Sequence, residues 1–93
     1  MNIQHIENGA KGEFYYEVEG QKLGLMTYNY AGSDKIIIDH TEVDESLKGQ
    51  GVGYKLVEAS VDFARGNNLK IMPLCPFANA VFRKRSEYQD IRF

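Results

Sequence analysis

Two periods of alternation divide the chain. Ile3 to Glu7 is a short strand candidate, ended by Asn8-Gly9-Ala10-Lys11-Gly12, whose glycines and asparagine accept turn geometry. In Glu13 to Glu19, Phe14, Tyr16 and Val18 alternate with Tyr15 and Glu17, the two-residue period of a sheet with both faces at least partly covered. Glu19-Gly20-Gln21 makes a tight hairpin turn. Lys22 to Tyr30 reads as a third strand, with Leu23, Leu25 and Thr27 on one face and Met26, Tyr28 and Tyr30 on the other. After the turn Ala31-Gly32-Ser33-Asp34, a fourth strand runs from Lys35 to Val43. Its three consecutive isoleucines are a β-branched run expected of a central strand buried on both sides.

The period then lengthens. From about Val52 to Arg65, Leu56, Ala59, Ser60 and Phe63 recur at helical spacing, with Val57, Val61 and Ala64 widening the stripe. Gly66-Asn67-Asn68 stops this helix in residues that tolerate left-handed geometry. Lys70 to Met72 is a short fifth strand, interrupted by Pro73 and Pro76, which cannot donate ladder hydrogen bonds. A last helix starts near Phe77, with Ala78, Val81, Phe82 and Arg85 on one face. The order of elements predicts an α+β fold, a mixed and mostly antiparallel sheet of about five strands with two helices. Residues 1–93 read as one domain, since a chain this short cannot divide into two units that each bury a core.

Composition narrows the function classes. A formal net charge of -2 offers no global field for nucleic acid or an anionic membrane. No apolar stretch approaches the roughly 20 residues needed to span a bilayer. Cys75 is the one cysteine, so no intramolecular disulfide can form, and the N-terminus lacks the layout of a signal peptide. A cytoplasmic protein, monomeric or weakly dimeric and without a metal, is the expectation.

The chemistry-bearing feature is Lys48-Gly49-Gln50-Gly51-Val52-Gly53, between a strand and a helix. Its glycines let the backbone turn sharply and approach a ligand, and the following helix aims unpaired N–H groups and its positive dipole end at the same place. That combination suits an anion. A short glycine loop alone serves structural turns equally well. Phosphate loops of nucleoside triphosphate enzymes fit poorly, because Tyr54 follows Gly53 where lysine and a hydroxyl residue are needed.

This loop resembles the Gln/Arg-x-x-Gly-x-Gly/Ala motif of the GNAT superfamily of N-acetyltransferases, with Lys48 keeping the positive charge at the first position. The wider set His40-Thr41-Glu42-Val43, Lys48-Gly49-Gln50-Gly51, Pro73-Leu74-Cys75-Pro76 and Glu87-Tyr88 is similar to a subfamily of very small GNAT-like proteins. Larger members place one or two helices between the first two strands to build the acceptor pocket. Here only the Asn8-to-Gly12 turn occupies that interval.

The resemblance implies an acetyl-CoA-dependent N-acetyltransferase. Thr41, Glu42 and Val43 would meet the pantetheine arm between parted fourth and fifth strands. The loop amides from Gly49 through Gln50, Gly51, Val52 and Gly53 to Tyr54, with Lys48, would hold the pyrophosphate. Asn79 and Arg83, one turn apart on the last helix, would face the cofactor. His40 is the candidate base, since an imidazole titrates near about pH 6.5; it equally reads as a sheet residue that shapes the site. Cys75 reads either as a nucleophile that carries the acetyl group, with His40 helping to form the thiolate, or as a small buried hydrophobe. Tyr88 reads as an anchor of the final segment or an acid to the leaving thiolate, His5 as a surface residue, and the other tyrosines as packing groups. The acceptor would be an amine: a small molecule, a polyamine or a protein lysine. A non-catalytic acetyl-CoA-binding module is the main alternative, and an interaction domain without the ligand a third.

Overall fold

A computed structural model describes residues 2–93. Two tight turns build the first half. Strands β1 (Gln4–Asn8) and β2 (Lys11–Val18) join through Gly9-Ala10 alone, so Asn8, Lys11 and Gly12 belong to strands and not to the expected five-residue turn. Gly9, with φ 67°, takes the left-handed geometry that a two-residue hairpin needs. At the next hairpin Glu19 (φ 49°) and Gly20 (φ 83°) do the same and lead into β3 (Gln21–Tyr30).

Strand β4 (Lys35–Val43) pairs antiparallel with β3, and helix α1 (Val52–Gly66) crosses over to β5 (Lys70–Pro73), which runs parallel to β4. The sheet order is β1-β2-β3-β4-β5, and α2 (Pro76–Lys84) follows. This is the expected α+β arrangement of five strands and two helices.

Periodicity explains which face is buried. Phe14, Met26, Tyr28, Ile36, Ile38 and Ile71 share one face and pack under Leu56, Val57, Val61 and Ala64 of α1 and Ala78, Val81 and Phe82 of α2. Buried Ser60 donates its hydroxyl to the Val57 carbonyl, so it leaves no unsatisfied group. The opposite face differs from the expectation for β4. Ile36 and Ile38 are fully buried, but Ile37 between them is only half-buried, as are Leu25, Thr27 and Met72 beside it. The isoleucine run fits a β-branched strand yet has a helix layer on one side only.

A bulge sets the course of β4. Tyr28 pairs with Ile38 and Thr27 with His40, so Asp39 is an extra residue in β4. Pairing with β5 ends at Ile38 and Pro73, and the Ile38 carbonyl accepts both the Leu74 and Cys75 N–H groups as the chain turns away. Pro73 therefore closes the strand at its last pairing position. Beyond it, Asp39–Val43 has no β5 partner, and a gap opens between the two strands.

His5 departs from its expected surface role. Its ring stacks on Phe14 at 4.1 Å between centroids and meets Phe63 edge-on. The Tyr28 hydroxyl donates its one proton to Glu7, so His5 Nε2 must donate to the Tyr28 oxygen, 2.5 Å away. Burial pushes the imidazole below its ordinary value, against the pull of Glu7. Tyr30 also donates to Glu7, which helps push its phenol up to about 12. Tyr88 is buried against Phe82, with ring centroids 5.6 Å apart, as an anchor should be.

Candidate functional site

The glycine loop is shaped before its glycines are reached. Asp44 accepts the Ser46 N–H and hydroxyl at 2.9 and 2.6 Å and starts a short 3-10 turn over Glu45–Leu47. These bonds, the Ser46 hydroxyl first, hold the Asp44 carboxyl below its ordinary value. Gly49 (φ 82°) and Gly51 (φ 74°) then carry the chain through left-handed backbone into α1. A Cβ at either would meet nothing within 4 Å, so conformation and not crowding within the chain requires glycine there.

Gly51 caps α1 with no side-chain hydrogen bond, and Lys55 N–H is the donor bonded to its carbonyl. The N–H groups of Val52, Gly53 and Tyr54 are thus first-turn donors without helical partners, at the positive end of a 15-residue helix with no acidic residue in its first turn. The third glycine has a different duty. A Cβ on Gly53 would stand 2.5 Å from Phe77 Cζ, so its bare Cα lets the two helix N-termini meet. Tyr54 packs on Phe77 with ring centroids 5.8 Å apart, and the Arg85 guanidinium lies 5.5 Å over the Tyr54 ring.

Between this cradle and the strand gap lies a cavity of about 470 Å³, lined by Thr41 and Val43 of β4, Leu47, the loop, Tyr54 and Phe77. Asp44 N–H bonds back to Leu23 of β3. Alternation along the strand therefore aims the amide and carbonyl groups of Val43 and Thr41 the other way, into the gap. A free strand edge next to a cradle of amides fits an extended ligand with amide groups at one end and a phosphate at the other. The chain's own residues fit coenzyme A in this respect.

The remaining expected site residues divide between faces. Glu42 and His40 point to the uncovered face, their side chains 72% and 60% exposed and 3.9 Å apart. Beside them, Asp39 accepts hydrogen bonds from Thr27 and Asn29 at 2.5 and 2.8 Å. Cys75 is buried on the helix side. Its Sγ caps α2 by accepting the Ala78 N–H at 3.3 Å and lies 3.2 Å from Thr41 Oγ1. Neighbouring residues of a strand face opposite ways, so Thr41 meets Cys75 while His40 does not. The structure does not bring together the imidazole and thiol that a thiolate-forming pair requires. Asn79 spends its amide on the Pro73 carbonyl at 3.2 Å, and Arg83, Lys48 and Gln50 are exposed. Phe77, expected only as the start of the last helix, and Leu47, which the sequence pattern does not single out, also line the cavity. Gly53 and Phe77 stand in different helices, so no local spacing links them.

A crossover helix with a glycine-capped start beside parted parallel strands gives the chain an α+β fold of the acetyltransferase type. The chain belongs to the GCN5-related N-acetyltransferase family, whose sequence profile matches residues 13–91. The solution structure of a GCN5-like protein from Staphylococcus aureus is 41% identical, covers 99% of this chain and 89% of that one, and superposes with a TM-score of 0.76. The protein NATD1 of Gallus gallus is 27% identical over 74 residues, 78% of this chain and 67% of that protein. The chain spans between about half and two thirds of the length of the curated relatives it matches. An aminoglycoside 6'-N-acetyltransferase solved with coenzyme A shares the fold, with 13% identity, a TM-score of 0.62, and coverage of 71% of this chain and 38% of that one.

Proposed function

We propose that the chain transfers an acetyl group from acetyl-CoA to an amine. The observation that carries this reading is the single cavity that joins the amide cradle at the start of α1 to the free edge of β4. Acetyl-CoA, when bound, supplies an activated acetyl group as a thioester. The N–H and carbonyl groups of Thr41 and Val43, with the Glu42 backbone between them, extend the sheet by pairing with the pantetheine amides. Lys48 supplies positive charge and the amides of Gly49, Gly51, Val52, Gly53 and Tyr54 donate to the pyrophosphate, while the Gln50 N–H, expected among them, is spent on the Leu47 carbonyl at 3.1 Å. Arg83 adds positive charge towards the nucleotide end. Asn79 contributes by tying α2 to the end of β5.

An amine must be neutral to attack, so a group near the gap has to take its proton. His40 suits that task from the uncovered face, where an acceptor can approach. Direct transfer follows, with His40 as base and the strand edge holding the donor in line. A second route is favoured by one observation, the buried Cys75 thiol in contact with Thr41, which lines the cavity. There the Cys75 sulfur would bond to the acetyl carbon while its proton passes to the leaving coenzyme sulfur, and the amine, giving its proton to His40, would then displace the Cys75 sulfur as a thiol. His40, on the other face, would serve the second step alone.

The two-residue β1–β2 turn and the uncovered sheet face leave the acceptor side open, which favours broad or macromolecular amines and motivates the non-catalytic binding module as the competing reading. A panel containing small primary amines, polyamines and a lysine peptide, incubated with acetyl-CoA and read by free coenzyme A, separates them. Amine-dependent release that rises with pH is expected. Tight acetyl-CoA binding without release across the panel would favour the binding module.

A further inference from the structure

We propose that the contact between Thr41 and Cys75 is the end wall of the acyl site and limits the length of the acyl chain accepted; this rests on the acetyl-CoA reading above. The strands are zipped at Ile38 and Pro73 and part beyond that point. Across the parted region the side chains of Thr41 and Cys75 are in polar contact at 3.2 Å. The cavity rising from the glycine loop is lined on β4 by Val43 and then Thr41, and Ile38, at the zip itself, is fully buried. Thr41 is the cavity-lining residue of β4 nearest the zip, so an extended donor arm that runs from the loop along β4 meets this contact at its far end.

The wall is anchored at both ends. Thr41 is held in register opposite Met26 of β3. The Cys75 N–H is bonded to the Ile38 carbonyl at 3.2 Å, and its Sγ takes the Ala78 N–H. Cys75 as a residue is only 6% exposed, and its Sγ is held between Thr41 and the Ala78 N–H. Both residues are small, so the wall takes up little of the acyl site. Each further methylene has to press into a contact fixed by a strand on one side and a helix cap on the other. A pocket that lacks room for one methylene discriminates by roughly 10–200-fold.

The test needs no acceptor. Wild type, Thr41→Ala, Cys75→Ala and Cys75→Ser are titrated calorimetrically with acetyl-, propionyl- and butyryl-CoA. Wild type is expected to prefer acetyl-CoA to butyryl-CoA by at least about tenfold. Thr41→Ala and Cys75→Ala should each narrow that ratio severalfold, mainly by improving the longer donor. Cys75→Ser keeps both a helix-capping group and a partner for Thr41, and should keep the preference. If Cys75→Ala does not fold, Thr41→Ala alone decides. Unchanged ratios in the alanine variants, with acetyl-CoA still bound, would overturn the wall. Failure of wild type to bind any of the three donors would overturn the reading on which it rests.

Discussion

Gly53 of α1 lies directly under the ring of Phe77 of α2, so close that a Cβ on Gly53 would stand 2.5 Å from Phe77 Cζ and 2.9 Å from Cε2. Two helix N-termini are thereby held side by side, and both residues line the cavity that opens onto the β4 edge. The width of that cavity depends on the absence of one methyl group.

Gly53→Ala should destabilise the protein by about 1–3 kcal/mol in urea unfolding, the usual cost of overpacking. Phe77→Ala in the same chain should recover much of that loss, with a coupling energy of about 0.5–3 kcal/mol in the double-mutant cycle. A helix glycine without such a neighbour would instead gain roughly 0.5–1 kcal/mol on conversion to alanine. That gain would contradict the contact.

Gly51 differs, since its requirement is a φ of 74° in open space. Gly51→Val should cost on the order of 1–2 kcal/mol of stability for left-handed backbone and should weaken acetyl-CoA binding sharply. Gly51→Asn tolerates that backbone better and should lose less stability. Unchanged acetyl-CoA affinity in folded Gly51→Val would remove the loop from the binding site.

The network around Glu7 makes stability depend on acid. Its carboxyl is held below the ordinary 4.5 chiefly by the Tyr30 hydroxyl, with Tyr28 and His5 adding to the effect. His5 is held below 6.5 by burial. For both groups the unfolded chain binds the proton more readily than the folded one, so their stabilisation is present above those ordinary values and lost as pH falls through the folded ones. The urea midpoint should therefore be flat above about pH 7 and decline in two stages in acid. His5→Gln should remove the first stage and Glu7→Gln the second. A midpoint that does not change between pH 7 and pH 4 would show that neither group titrates differently on folding.

Local pattern made most of the fold legible. The alternation from Phe14 to Val18 and from Leu23 to Tyr30, the helical stripe through Leu56 and Ser60, and Gly66-Asn67-Asn68 each act within a few residues, and the elements fall where those signals lie. The face of the sheet was not legible at β4, because Ile36-Ile37-Ile38 reads the same under one helix layer or two. Nor was His5, whose partners Phe14, Tyr28 and Phe63 come from three other elements. The loop glycines were visible as a group, but their separate duties were not. Gly49 and Gly51 serve backbone conformation, whereas Gly53 serves Phe77, 24 residues away in sequence. The bulge at Asp39 shifts the facing of every later β4 residue, so adjacency in sequence gave no hint that Thr41, and not His40, meets Cys75.

The chemical roles of Cys75 and His40 separate cleanly in mass and rate. If Cys75 carries the acetyl group, acetyl-CoA alone should add one acetyl mass to the intact protein, in a form that hydroxylamine removes, and Cys75→Ala should abolish both adduct and turnover. In direct transfer no adduct forms, Cys75→Ala keeps most activity, and His40→Ala loses roughly 100-fold or more in rate, most severely at low pH.

Thermal unfolding with and without acetyl-CoA decides whether the cavity between the glycine loop and the β4 edge takes that cofactor. A ligand that binds only the folded chain, at about 100 times its Kd, stabilises it by about 2.7 kcal/mol, a rise in Tm on the order of 10–20 °C for a chain of this size. Acetyl-CoA and 3′-dephospho-acetyl-CoA should both raise Tm, and acetyl-pantetheine, which lacks the pyrophosphate, should raise it far less. No rise with millimolar acetyl-CoA, or an equal rise with acetyl-pantetheine, would contradict the account.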